Sequence, residues 1–147
     1  VNAGGIGKIK DLPDSVFCFE ENPVPAVLRK LAANTVINPL TAVLDEKNGI
    51  ILEKAELVRR LTDEISRVLA PLGLGETPDS LYKAVMGIAE KTRENSSSMR
   101  EDVRHGRPTE NDYILGFVIK TAERFGMEVP ELKRLEAEFL RKAGNAA

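Results

Sequence analysis

The chain has 147 residues, of which 30% are charged and 42% are hydrophobic, and its formal net charge is −2. These proportions are typical of one globular domain, and the weak charge predicts neither nucleic acid nor an anionic membrane as a partner. Cys18 is the only cysteine and His105 the only histidine, so we expect no internal disulfide and no metal site. We also expect no membrane span and no signal peptide, and therefore a cytoplasmic location.

Residues 1–22 are interpreted as a lead-in or linker, and residues 23–147 as one domain. The segment Gly4-Gly5-Ile6-Gly7 contains part of a dinucleotide-binding pattern. It lacks the third glycine at the required spacing, and too few residues precede it to form the strand that the pattern needs. We therefore expect no dinucleotide site there.

The rest of the chain has apolar residues at helical spacing, which predicts an all-α, multi-helix bundle. The first helix is expected over residues 25–44, with a kink at Pro39, because proline removes one backbone hydrogen bond. A turn at residues 45–49 precedes a long helix that ends before Gly73. Capping residues or prolines mark the expected starts of the four remaining helices, at Thr77, near Ser98, after Thr109 and at Pro130.

The first helix carries regularly spaced polar residues in an apolar setting. Lys30, Asn34 and Asn38 are four residues apart, a spacing that keeps them close to one helix face, with a drift of roughly 40° per step. Buried amides need hydrogen-bond partners. We expect those partners either within the fold, for example at carbonyls freed by the kink, or on a polar ligand. Apolar flanks would desolvate Lys30 and prepare it as a proton donor, whereas most helical lysines are solvent-exposed.

A second polar run covers residues 95–112. Asn95 and the serines up to Ser98 come just before an expected helix, where free amides and hydroxyls suit a carboxylate but can also simply cap the helix. Glu110 lies at the next expected helix start, where a carboxylate is favourable for structural reasons alone. Asn48 belongs to an Asn-Gly dipeptide, which is typical of a turn.

The two runs together resemble the C-terminal domain of ketopantoate reductase (2-dehydropantoate 2-reductase). The first reads K-L-x-x-N-x-x-I-N-P-L-T-A and the second reads N-S-S-S-M-x-x-D-V-x-x-G-R-x-T-E-x-D-Y-I-x-G. The resemblance covers residues 23 to near the C-terminus. It implies a bundle similar to the 6-phosphogluconate dehydrogenase C-terminal-domain-like fold, in an enzyme that reduces ketopantoate to pantoate for pantothenate and coenzyme A synthesis.

The resemblance also implies roles for individual residues. Lys30 matches the family's general acid, which protonates the carbonyl oxygen as hydride reaches the carbon. Glu110 matches a glutamate that lies in the active site beside the nicotinamide cofactor or the substrate, and we assign it to binding of NADPH. Glu64 matches a recurrent glutamate for which we expect a structural role. Substrate binding is implied for Asn34, Asn38, Asn48, Asn95 and Ser98.

The family also needs a Rossmann domain to bind NADPH, and this chain has no room for one. We therefore expect an N-terminal nucleotide-binding domain as a partner, an inactive isolated chain, and a homodimer as one possible assembly. Two alternatives stay open: a paralogous 2-keto acid reductase domain, and a helical dimerisation module without catalysis. Retention of the lysine, the asparagines, the serine and the glutamate together favours the enzyme.

Overall fold

Six α-helices make up most of residues 22–146, the range that the computed structural model describes, and this range contains no β-strand. The expectation of an all-α domain is confirmed, while Gly4-Gly5-Ile6-Gly7 lies outside the described residues. The helices are α1 (Val24–Leu44), α2 (Ala55–Leu69), α3 (Pro78–Lys91), α4 (Ser98–Arg104), α5 (Leu115–Arg124) and α6 (Pro130–Ala146). Three 3-10 turns, at Asn48–Glu53, Ala70–Leu72 and Asn111–Tyr113, lie between them.

The first helix lies at the centre of the bundle, in contact with each of the other five. Its sequence is apolar on nearly every side, as expected for a helix that is surrounded by protein. Ten of its residues are buried, and the helix continues through Pro39 to Leu44 without a break in its assignment. It ends at Asp45, whose left-handed backbone (φ 52) turns the chain away from the helix axis.

Several helix boundaries follow the capping signals in the sequence. Thr77 caps α3 through its side chain, and Ser80 completes a reciprocal capping box. Pro130 opens α6 as predicted. The prediction of a helix directly after Thr109 is wrong: Asn111–Tyr113 form a 3-10 turn, and the non-helical backbone of Ile114 separates this turn from α5.

A buried carboxylate joins α2 to the start of α6. Glu64 accepts hydrogen bonds from the backbone amides of Glu131 (2.9 Å) and Leu132 (2.8 Å). These amides belong to the first turn of α6, where backbone N–H groups have no partner within the helix. Glu64 therefore caps a helix 67 residues away in the chain, and the structural role expected for it is confirmed.

Candidate functional site

The middle of the central helix reaches the surface along one narrow strip. Between Ala32 and Ala42 every residue of α1 is buried except Asn34 and Asn38, which are both partly exposed, and Lys30 is exposed one turn earlier. The structure therefore places these three predicted residues on a single strip, which we call the α1 strip. Among the described residues neither asparagine side chain forms a hydrogen bond, so both amides can bind an incoming ligand.

The α1 strip ends where the start of α4 meets the helix. Thr41 is eleven residues after Lys30, about 1,100° of helical rotation, which is within about 20° of three full turns. Its hydroxyl lies 2.7 Å from the Ser97 hydroxyl in a buried contact, and it also donates to the carbonyl of Ile37. Ser97 is the residue that caps α4, and Ser98 follows it. The structure thus brings Ser98 to the Asn38 end of the strip.

The three consecutive serines have different hydrogen-bond partners. Ser97 caps α4 by accepting from the backbone amide of Arg100. The Ser96 hydroxyl donates to the Glu101 carboxylate (2.5 Å) and thereby holds the pKa of that carboxyl below its ordinary value. Ser98 is exposed, and its hydroxyl has no hydrogen-bond partner among residues 22–146. Two serines therefore maintain the fold, and Ser98 has a hydroxyl that is free to bind a ligand.

Asn48 and Asn95 hold two turns together beside this region. The Asn48 backbone amide donates to the Asn95 carbonyl (2.9 Å), and the Asn48 side-chain amide donates to the Thr92 hydroxyl (3.0 Å). Asn48 is 8% exposed, and a Cβ at the next residue, Gly49, would lie only 3.2 Å from the Arg93 carbonyl. This close approach explains the Asn-Gly dipeptide structurally. Asn95 is exposed, and its side chain faces no partner among the described residues.

Glu110 lies on the connection between α4 and α5 and is exposed. The segment after it is anchored by Ile114, which packs with Ala42 of α1 and with Met99 and Val103 of α4. The connection therefore returns to the same end of α1 that contacts Ser97. No hydrogen bond among the described residues joins the Glu110 carboxylate to the α1 strip.

One expectation about the site is not met within this chain. Lys30 is exposed, so its apolar flanks do not desolvate it here. The strip is also open surface and not an enclosed cleft. A hollow of about 450 Å³ lies elsewhere, between α2 and the start of α6, and its arginines Arg59, Arg60 and Arg67 are each paired with a carboxylate.

Two features of this region were not predicted from the sequence. The Thr41–Ser97 hydroxyl pair depends on two segments that lie 56 residues apart, and no local pattern reports such a contact. Asn111 is 3% exposed, and neither atom of its amide has a hydrogen-bond partner among the described residues. Asn111 follows Glu110 in a polar run that is typical of a surface turn, so its burial could not be predicted from the sequence.

The sequence of the chain matches a known protein family. Residues 24–141 match the family profile described as "Ketopantoate reductase PanE/ApbA C terminal". The chain belongs to the ketopantoate reductase family. Its match is to the C-terminal domain, which agrees with the expected 6-phosphogluconate dehydrogenase C-terminal-domain-like fold. Among residues 22–146, no helix has the length and apolar character needed to cross a membrane.

Individual relatives give the same picture. The chain is 38% identical to the 2-dehydropantoate 2-reductase of Yersinia pestis over 80% of this chain and 39% of that protein. It is similar to the crystal structure of a probable 2-dehydropantoate 2-reductase from Bacillus subtilis, with a TM-score of 0.73, 32% identity, and coverage of 84% of this chain and 42% of that one. A dimeric ketopantoate reductase from Staphylococcus aureus gives a TM-score of 0.76 at 26% identity, covering 88% and 46%. The chain thus spans less than half the length of these relatives.

Proposed function

We propose that this domain supplies the substrate-binding surface and the proton donor of an NADPH-dependent reductase that converts ketopantoate to pantoate. The observation that carries the proposal is the α1 strip. Between Ala32 and Ala42 only two uncommitted amides of the helix reach the surface, and the ammonium of Lys30 is exposed one turn before them. Ser98, whose hydroxyl is free, follows the serine that contacts Thr41 beyond Asn38. Membership of the ketopantoate reductase family gives the strip its substrate class.

The strip offers complementary groups to a small hydroxylated 2-keto acid. The amides of Asn34 and Asn38 can each donate one hydrogen bond and accept another, which suits a hydroxyl or a carbonyl oxygen. The Ser98 hydroxyl, with the side-chain amide of Asn95 nearby in the chain, can donate to the substrate carboxylate. Asn48 contributes by keeping the Asn95 turn in place, because it bonds the backbone of that residue.

Lys30 has the chemistry for the remaining task. NADPH, when bound, supplies the hydride that the 2-keto carbon receives. The Lys30 ammonium donates a proton to the 2-keto oxygen, so that the carbonyl becomes a hydroxyl and the lysine is left neutral. The neutral lysine must regain a proton from water before the next turnover. A positioned proton donor of this kind contributes on the order of 10²–10⁴-fold to the rate.

A second domain completes this proposal. The described residues form no Rossmann unit, and the relatives are more than twice as long as the matched region. We infer that a nucleotide-binding domain covers the α1 strip, desolvates Lys30 and closes the open surface into a cleft. Glu110 is exposed on the connection that returns to the Asn38 end of α1. We propose that it contacts the cofactor there. The single cysteine fits a reducing, cytoplasmic setting.

The test is turnover by the complete product of the reading frame that encodes this chain. Oxidation of NADPH or NADH is followed in the presence of ketopantoate, or of 2-keto acids without the hydroxyl or the branched carbon. We expect the highest kcat/KM with ketopantoate and NADPH, and no turnover by the 147-residue chain alone. Preference for another 2-keto acid would identify a paralogous reductase. Absence of turnover with every substrate would overturn the proposal and favour a helical dimerisation module, which the product's size in solution would reveal.

A further inference from the structure

The side chain of Arg100 joins three parts of the site region. Its Nε donates to Asp45 Oδ1 (3.0 Å), its Nη2 donates to the Asp45 carbonyl (3.3 Å), and its Nη1 donates to the Ser96 hydroxyl (3.2 Å). The side chain is only 12% exposed. A guanidinium that is mostly withdrawn from water and bonded on three nitrogens is held in one orientation, because its donors form a rigid planar fork.

These bonds connect the end of one helix to the start of another. Asp45 is the residue that terminates α1, with its backbone in the left-handed region. Ser96 is two residues before Ser98, within the serine run that leads into α4. The Arg100 backbone amide also donates to the capping hydroxyl of Ser97. Arg100 therefore contacts this run through both its main chain and its side chain, and it bonds the run to α1.

The contact between Thr41 and Ser97 is a second link between the same two segments. The two links lie about one helical turn apart on α1, since Thr41 and Asp45 are separated by four residues. The apolar cluster of Ala42, Met99 and Val103 packs α4 against α1, and the two polar links add contacts of defined direction at two further points. The hydroxyl pair and Arg100 thus refine the position of Ser98 relative to Asn38.

We propose that Arg100 is a positioning residue for substrate binding: through Asp45 and Ser96 it holds the Ser98 hydroxyl at the distance from Asn38 that the substrate spans. This role rests on the function proposed above. Arg100 is directed at Asp45 and Ser96 and not at the open strip, so it acts through its neighbours and not by touching substrate. Lysine is a poor replacement, because its three N–H groups all belong to one nitrogen and cannot reproduce the planar spread of donors over the three nitrogens of a guanidinium.

The kinetic test uses the complete gene product with Arg100→Met, Arg100→Lys and, as a matched control, Arg134→Met. Arg134 also pairs with a carboxylate, that of Glu131 on α6 (3.1 Å), but it is more exposed than Arg100 and bonds neither the serines nor the end of α1. We expect KM for ketopantoate to rise in Arg100→Met by up to about 10²-fold, the loss that a misplacement of about 1 Å can cause. The KM of Arg100→Lys should rise less, and the KM of Arg134→Met should stay within about twofold of the wild-type value. The pH dependence of kcat should not move, because Lys30 is untouched.

A double-mutant cycle shows whether Arg100 acts through Asp45. Asp45→Asn should raise KM in the same direction, and the double variant Asp45→Asn/Arg100→Met should be little worse than Arg100→Met. The reason is that the Arg100–Asp45 pair (3.0 Å) is the shorter of the two that Asp45 forms with arginines of α4, the pair with Arg104 being 3.8 Å long. Additive effects of the two substitutions would overturn the proposed route. A KM in Arg100→Met within about twofold of wild type would overturn the role itself. An equal rise in Arg134→Met would do so too, because it would indicate general destabilisation.

Amide hydrogen exchange in the 147-residue chain provides a readout that does not depend on activity. Exchange at Ser97 and Ser98 should accelerate in Arg100→Met, while exchange in α5 should not change. Unchanged exchange in the serine run would overturn the proposed link. If the wild-type gene product shows no turnover, the proposed function fails and the positioning role fails with it. Faster exchange at Ser98 would then still show the link between the two segments.

Discussion

The buried carboxylate of Glu64 provides a sharp test of how the fold is held together, through the substitution Glu64→Ala. The side chain is 4% exposed and caps α6 through the amides of Glu131 and Leu132. Its removal leaves both amides without their acceptor. Hydrogen bonds to charged groups are worth about 1.5–3 kcal/mol each. Water can reach the Glu131 amide more easily, because Glu131 is partly exposed and Leu132 is buried.

The expected loss lies between one and two such bonds. Substitutions of helix caps cost about 0.5–2 kcal/mol when the freed amide is hydrated, and here one of the two amides stays buried. We therefore expect Glu64→Ala to lower the free energy of unfolding by about 2–4 kcal/mol. For a domain of this size each kcal/mol corresponds to about 4 °C, so Tm should fall by about 8–16 °C.

The assay is equilibrium urea unfolding of the 147-residue chain at pH 7, followed by circular dichroism at 222 nm. Asp63→Ala is the matched control, because Asp63 is the neighbouring residue in the same helix and forms only an exposed pair with Arg67 (3.5 Å). That control should lose about 0.3–0.5 kcal/mol. Glu64→Gln should fall between the two, since an amide keeps one acceptor oxygen and loses the charge. Equal losses in Glu64→Ala and Asp63→Ala would refute the capping argument.

Two further predictions concern the half-buried Glu136 and the buried Asn111. Burial, followed by the nearby charges of Asp112 and Glu123, raises the pKa of Glu136 above its ordinary value of 4.5, so ionisation of Glu136 destabilises the folded state. Glu136→Gln should therefore raise Tm at pH 8 and have little effect at pH 4. An equal change in Tm at both pH values would contradict this. Asn111→Leu should raise the free energy of unfolding by about 1 kcal/mol in urea titrations, because a buried amide without partners is costly; a loss of stability would show that the amide is hydrogen-bonded after all.

Much of the fold could be predicted from the sequence, because most helices and their ends depend on residues that are close together in the chain. The cap at Thr77 and the start of α6 at Pro130 follow from residues within one helical turn. The spacing of Lys30, Asn34 and Asn38 was enough to predict their shared face. The failure after Thr109 lies at Ile114, whose backbone is outside the helical region and whose side chain belongs to a cluster with Ala42 and Met99. That cluster includes a residue distant in the chain, so no local pattern reports it.

The contacts that organise the site could not be read from the sequence. Thr41 meets Ser97 across 56 residues, and Arg100 meets Asp45 across 55. Such pairs depend on how α1 and α4 pack, and neither residue type has a pattern that names its partner. The different hydrogen-bond partners of the three serines could not be predicted for the same reason. The exposure of the α1 strip as open surface depends on tertiary structure, so it too could not be predicted from a sequence pattern.

The measurement that tests the central claim most directly is the effect of Lys30→Ala on ketopantoate reduction by the complete gene product. We predict that kcat falls by on the order of 10²–10⁴-fold and falls by a larger factor than KM rises, since a proton donor acts in the transition state. Lys83→Ala, which removes an exposed lysine paired with Asp79 on α3, should keep wild-type kinetics. A near-normal kcat in Lys30→Ala would contradict the account, because the proton would then come from another group.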